Sequence, residues 1–295
     1  MNYSTLMVLV IVITLSGCTG DGKPGEKFDV REWEEALLDK RAEKDTYFKT
    51  SPVSPMAGLL RETIDNDGRL YVFLKETAIK MSLTEVKDPL LSVYKKGDAW
   101  ITVDKTGEES IREKSGETFK LDRYTFRYYS SDDSFTLVIF DPQRKMIKEF
   151  KHLLYYKPDS KFRVKAKLEK YKETRERVVK TSRDLEKTLI EYGKVKFSID
   201  GKELSLTAFK FASDKDDPNY KYLFLPFYDK TNLKDTYEAG RFLEAVETGS
   251  DDVIIDFNEC YNPLCNYADV YNCTLPPFEN ELDIEIKAGE KTYPH

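Results

Sequence analysis

Hydrophobic and polar positions alternate with a period of two along most of this chain, and a period of 3.6 is confined to one early stretch. Over residues 29–44, Trp33, Leu37 and Arg41 fall on one face, Asp29 can cap the first turn and Glu32 holds the capping-box position, which predicts a helix. Thr50-Ser51-Pro52-Val53-Ser54-Pro55 ends it, because each proline removes a donor and restricts the residue before it. From 68 to 141 the apolar runs are short and β-like: Leu70–Leu74, Leu91–Tyr94, Ala99–Val103, Phe119–Tyr129 and Phe135–Phe140. Asp67-Gly68, Lys96-Gly97-Asp98 and Ser130–Asp133 supply the turns between them.

The stretch 162–192 pulls two ways. Its Lys, Glu and Arg content favours a helix by propensity. Yet Phe162, Val164, Ala166 and Leu168 alternate with charged residues, which predicts a strand over 162–169. Val195, Phe197 and Ile199 lead through Asp200-Gly201, a strong hairpin signal, into Leu204, Leu206 and Ala208. Tyr222–Phe227, Arg241–Val246 and Val253–Phe257 add three more strands. The expected fold class is mainly β: antiparallel sandwich or barrel-like domains with a short N-terminal helix. The expected layout is a leader over 1–17, a flexible tether over 18–28, and the helix with its Pro-rich connection over 29–56. A small antiparallel β domain then spans 57–141 and a C-terminal β domain 142–295.

The leader rests on Leu6 to Leu15, an apolar run too short for a membrane span of about 20 residues but right for a signal-peptide core. Leu15-Ser16-Gly17-Cys18 follows and resembles the lipobox of exported prokaryotic lipoproteins, whose cysteine thiol becomes the lipid attachment point. It implies an extracytoplasmic protein held on the outer face of the cell membrane through Cys18. Gly20 to Gly25 spells G-x-G-x-x-G, but no strand precedes it and Pro24 interrupts it, so it reads as tether and not as a dinucleotide site.

Composition narrows the function classes. The 295 residues carry 47 Lys+Arg against 53 Asp+Glu, a net charge of −6, which argues against a nucleic-acid partner needing a concentrated basic face. The 40% of apolar residues can fill a real core. Only two histidines occur, His152 and His295, and the sequence holds no G-x-S-x-G, H-E-x-x-H or Walker loop. No cofactor is implied.

Several blocks of the last third form an ordered series. They are Leu223–Thr231, Thr236–Leu243, Asp256-Phe257-Asn258, Tyr261–Cys265, Cys273–Pro277, Glu279-Asn280 and Ala288–Lys291. With Tyr47–Pro52, Ser54-Pro55 and Phe150 to Ala166 upstream, they resemble domain-of-unknown-function family 1684, prokaryotic proteins that are often lipoproteins. The resemblance implies a fold family and a compartment, and no established activity.

The same blocks assemble a polar constellation of Asp229, Tyr237, Arg241, Asp256, Asn258, Tyr261 and Asn262. The planar fork of Arg241 suits bidentate pairing with Asp229 or Asp256. Three readings stay open: a pocket for a small molecule or glycan in a non-enzymatic binding or envelope-associated module, a hydrolase using Asp229 and Asp256, and an internal network in a structural interaction protein. Nineteen tyrosines and 17 phenylalanines could stack on a ligand or simply fill strands. Of the remaining cysteines, Cys265 and Cys273 are expected to bridge in an exported protein, closing a short loop worth roughly 2.5 kcal/mol, with Cys260 a buried thiol. The C-x4-C-x7-C spacing is not that of a zinc site, so no metal is expected.

Overall fold

A computed structural model describes residues 28–211, 217 and 220–294; the leader, Cys18 and most of the tether lie outside them. Within them the chain is mainly β and divides into two units, one of residues 47–150 and one of residues 28–46 with 151–294.

Helix α1 (Val30–Thr50) begins where Asp29 accepts the Arg31 amide at 2.8 Å and ends at the Pro-rich stretch, one turn and a half later than the sequence pattern implies. Residues 47–150 continue through β1 (Gly58–Asp65), β2 (Arg69–Lys75), β3 (Ala78–Ser82), β4 (Leu91–Lys96), β5 (Ala99–Asp104) and β6 (Glu109–Ile111). Then come β7 (Thr118–Leu121), β8 (Tyr124–Ser130), β9 (Ser134–Phe140) and the short helix α2 (Lys145–Glu149). Two antiparallel sheets result, of order β1-β9-β8-β7 and β3-β2-β4-β5-β6. They share one core: Leu70, Val72, Val93 and Trp100 from the second meet Phe126, Tyr128, Phe135 and Leu137 from the first. Tyr128 stacks on Phe135 with ring centroids 5.4 Å apart, and Trp100 sits 5.3 Å from Phe135. This unit is a β-sandwich.

The second unit carries β10 (Arg163–Lys180), β11 (Glu186–Ile199), β12 (Lys202–Phe211), β13 (Tyr222–Asp229), β14 (Arg241–Val246), β15 (Asp252–Asp256) and the two-residue β16 (Glu281–Leu282). Its antiparallel order is β14-β13-β12-β11-β10-β15, with β16 added in parallel to β13. The two ends of that order, β14 and β15, are sequence neighbours and approach one another, so the sheet is nearly a closed barrel. The alternating residues Ala166, Leu168, Val195, Phe197, Leu206, Ala208, Leu223 and Leu225 fill its interior. Asp200 (φ 51°) and Gly201 (φ 77°) make the left-handed pair that a two-residue hairpin needs.

Candidate functional site

The site is built on the C-terminal loops of the second unit and on one face of α1. Trp33, Leu37, Arg41 and Lys44 recur at helical spacing, and Trp33, Arg41 and Lys44 bond to those loops. Leu37 is buried, while the Trp33 indole donates to Asp256 Oδ2 at 2.7 Å. Arg41 donates to the carbonyls of Tyr156 at 2.9 Å and Asn258 at 3.2 Å, with its guanidinium 4.3 Å over the Tyr155 ring. The Lys44 ammonium closes on Glu290.

Arg241 opens β14 and has no exposed surface. Its Nη2 donates to Asp229 Oδ1 at 3.1 Å and to the Ile286 carbonyl at 2.9 Å. Its Nη1 donates to the carbonyls of Ala288 at 2.5 Å and Glu290 at 3.3 Å. The other Asp229 oxygen accepts the Ile286 amide at 2.6 Å and the Thr231 hydroxyl at 2.9 Å. The guanidinium also lies 5.3 Å from the Phe227 ring. Of the three guanidinium nitrogens, Nε lacks a partner. The ion pair therefore holds segment 286–290 against β13 and β14 from inside.

Asp256 goes elsewhere. Its Oδ1 accepts the Asn258 amide at 3.0 Å, capping a 3-10 turn over Phe257–Glu259, and the Asn258 side chain at 2.9 Å. Oδ2 takes the Trp33 indole and lies 3.5 Å from Arg163. Asn258 exchanges hydrogen bonds with the backbone of Asp159, accepting at 2.9 Å and donating at 3.0 Å. Both carboxylates of the hydrolase reading thus have their oxygens engaged by donors within the unit, and general-base chemistry needs a lone pair turned to substrate.

Asn262 meets a residue the sequence did not single out. Glu290, 1% exposed, accepts the Asn262 amide at 2.9 Å, the Tyr267 hydroxyl at 2.6 Å and the Tyr155 hydroxyl at 3.4 Å, besides the Lys44 ion pair. Asn262 donates to the Lys291 carbonyl at 2.8 Å. Burial first, then the Glu290 charge, pushes the Tyr267 phenol far above its ordinary range. The Tyr261 hydroxyl donates to Glu244 at 2.9 Å, and burial raises the Glu244 carboxyl against that bond. Signals for Glu290 existed only in its place within the Ala288–Lys291 block.

Tyr237 leaves the constellation altogether. Its carbonyl accepts the Asn232 side chain at 2.6 Å and burial raises its phenol, while the Cys265 backbone N–H donates to Cys273 Sγ at 3.1 Å. The Cys273 amide in turn donates to Ser182 Oγ at 3.0 Å. The neighbouring Cys273 thiol outweighs burial and holds the Cys265 thiol down at about 7. The expected bridge between Cys265 and Cys273 is not formed here: both are free thiols, and Cys273 Sγ instead accepts the Cys265 backbone N–H. Cys260 is buried as expected, and burial pushes its thiol up to about 11. Among the described residues no cluster suits a metal ion.

A second buried ion cluster lies at the other end of the sheet. Glu247 is met by Lys170 at 2.6 Å, Lys210 at 2.9 Å and the Tyr192 hydroxyl at 2.8 Å. Burial works to raise its carboxyl, but these donors outweigh it and hold the group below its ordinary value. A carboxyl depressed on folding stabilises the protein above its unfolded pKa of about 4.3, and that contribution is lost as pH falls through the folded value. Acid unfolding followed by circular dichroism should accordingly show a shallower stability loss below about pH 4.3 in Glu247→Gln than in wild type. Equal slopes would detach Glu247 from the acid limb.

Fold and site together define a mainly-β protein whose charged side chains are engaged in closing its own loops. The family described as a protein of unknown function, DUF1684, matches residues 148–291, and the chain belongs to that family. Among solved structures, an uncharacterized protein of Haloarcula marismortui determined by solution NMR is similar, at 31% identity over 52% of this chain and 83% of that one, with a TM-score of 0.42. No curated protein matches.

Proposed function

We propose that this is a lipid-anchored extracytoplasmic protein of non-enzymatic function, whose C-terminal unit is a rigid interaction module closed from within by the Arg241–Asp229 pair. The observation that carries the reading of the unit is the complete burial of Arg241 with five bonds inside its own chain. A ligand-facing arginine keeps donors pointing into a cavity; this one turns both Nη groups to Asp229, Thr231 and three carbonyls of segment 286–290. The anchor rests on Leu15-Ser16-Gly17-Cys18 behind a ten-residue apolar run. Among the described residues no helix is long and apolar enough to cross a membrane. Feeding cells a labelled fatty acid tests it: the full chain should take up label and sediment with membranes, and Cys18→Ser should do neither. Label-free wild type would remove the anchor from the account.

A further inference from the structure

The two oxygens of the Glu290 carboxylate meet different chemistry. Oε2 accepts two uncharged donors, the Asn262 amide at 2.9 Å and the Tyr267 hydroxyl at 2.6 Å. Oε1 faces the Lys44 amine directly, with the Tyr155 hydroxyl 3.4 Å away. The Lys44 nitrogen also lies 5.2 Å from the centre of the Tyr261 ring. The Glu290 side chain is 1% exposed and that of Lys44 25%, so the carboxylate is sealed while the amine keeps a route to solvent. A site this dry penalises both charges, and an amide made from the same two groups would carry neither. Glu247 lacks this division of labour: Lys170 meets its Oε1 and Lys210 its Oε2, so each oxygen is committed to an ammonium.

We propose that Lys44 and Glu290 condense to an amide, a covalent clasp between α1 and segment 286–290. A proton first passes from the Lys44 ammonium to Oε1 along the bond that joins them, leaving a neutral amine against a carboxylic acid. Lys44 Nζ then attacks Glu290 Cδ, forming the C–N bond, and the electron pair of the carbonyl moves onto Oε2. The Tyr267 hydroxyl and the Asn262 amide are already aimed at that oxygen and hold its developing charge as an oxyanion hole does. The nitrogen gives a second proton to the Oε1 hydroxyl, the C–Oε1 bond breaks, and water leaves by the exposed side of Lys44. The carbonyl re-forms at Oε2, still bonded to both donors. One ammonium and one carboxylate become one amide and one water, with no co-reactant consumed. Holding the two groups in contact inside the fold supplies the effective concentration that free amines and acids lack in water.

The test is peptide mass analysis of the full-length protein, unfolded in denaturant and digested with trypsin after prolonged incubation at neutral pH. The expected product is a branched peptide joining Lys44 to Glu290, lighter than its two parts by one water and uncut after Lys44. Lys44→Arg keeps the cation without the nucleophilic amine, so both peptides should then appear separately at full mass. Tyr267→Phe removes one donor from Oε2 and should slow the condensation by about a hundredfold, read as the rate at which the branched peptide accumulates in freshly made protein. Wild-type protein that is cut after Lys44 and yields the Glu290 peptide at full mass overturns the proposal. So does a water loss that persists in Lys44→Arg, or a wild-type cross-link that ties Lys44 to a carboxyl other than Glu290.

Discussion

Arg241→Ala is expected to lower the stability of the C-terminal unit by about 3–5 kcal/mol, the range for breaking one partner out of a buried ion pair. The truncation leaves Asp229 as a charge without its cation, and removes the donors of the Ile286, Ala288 and Glu290 carbonyls at once. Asp229 keeps the Thr231 hydroxyl and the Ile286 amide, which limits the damage without cancelling it. Arg241→Lys should recover only part, because an ammonium reaches one or two of these acceptors and lacks the planar fork. Urea unfolding reads this as a lower midpoint at unchanged slope. An unshifted midpoint for Arg241→Ala would mean that segment 286–290 is held by something else.

The second large effect is expected at Gly289. Its φ of +73° is a left-handed conformation, costing an L-residue roughly 1–2 kcal/mol. A Cβ there would also lie 2.3 Å from Cys260 Sγ and 2.7 Å from the carbonyl oxygens of Cys260 and Phe257. Sulfur could be trimmed away, but the two carbonyls belong to the backbone that presents Asn258 and Tyr261. We therefore expect Gly289→Ala to cost at least about 3 kcal/mol, with strain added to overpacking. Pairing it with Cys260→Ala should recover only part of the loss, measured against Cys260→Ala alone. Full recovery would place the whole conflict on the thiol.

Much of the architecture was legible because it is written in local periodicity. The alternation of Phe162 to Leu168, and the Asp200-Gly201 turn, point to β10, β11 and β12 even though their composition is helix-like. That stretch is held as strand by its pairing: Ala166 lies opposite Phe197 on one side and Val253 on the other. Phe119–Tyr129 reads as one strand but is two, β7 and β8, turned at Asp122, whose φ of +55° is reached with no glycine to announce it. Strand β1, Gly-Leu-Leu-Arg-Glu-Thr-Ile-Asp, escaped notice because its burial does not alternate cleanly.

The site was legible as a set of residues but not as contacts. Arg241 does pair with Asp229, one of the two partners its chemistry permits. Asp256, the other, is taken by a tryptophan 223 positions away. Glu290 is reached by Lys44 across 246 positions, and no local pattern announces a contact of that range. Tyr237 stands four residues before Arg241 yet joins the site through its backbone, its carbonyl accepting the Asn232 side chain and the Gly240 amide.

The most direct measurement is a double-mutant cycle on Arg241 and Asp229 by urea unfolding of the full-length protein, with Arg241→Ala, Asp229→Ala and the double variant. An internal clamp predicts that the double variant loses little more than either single one, a coupling of about 2–3 kcal/mol. Losses that add to within about 0.5 kcal/mol would show the two side chains acting independently, and would contradict the clamp.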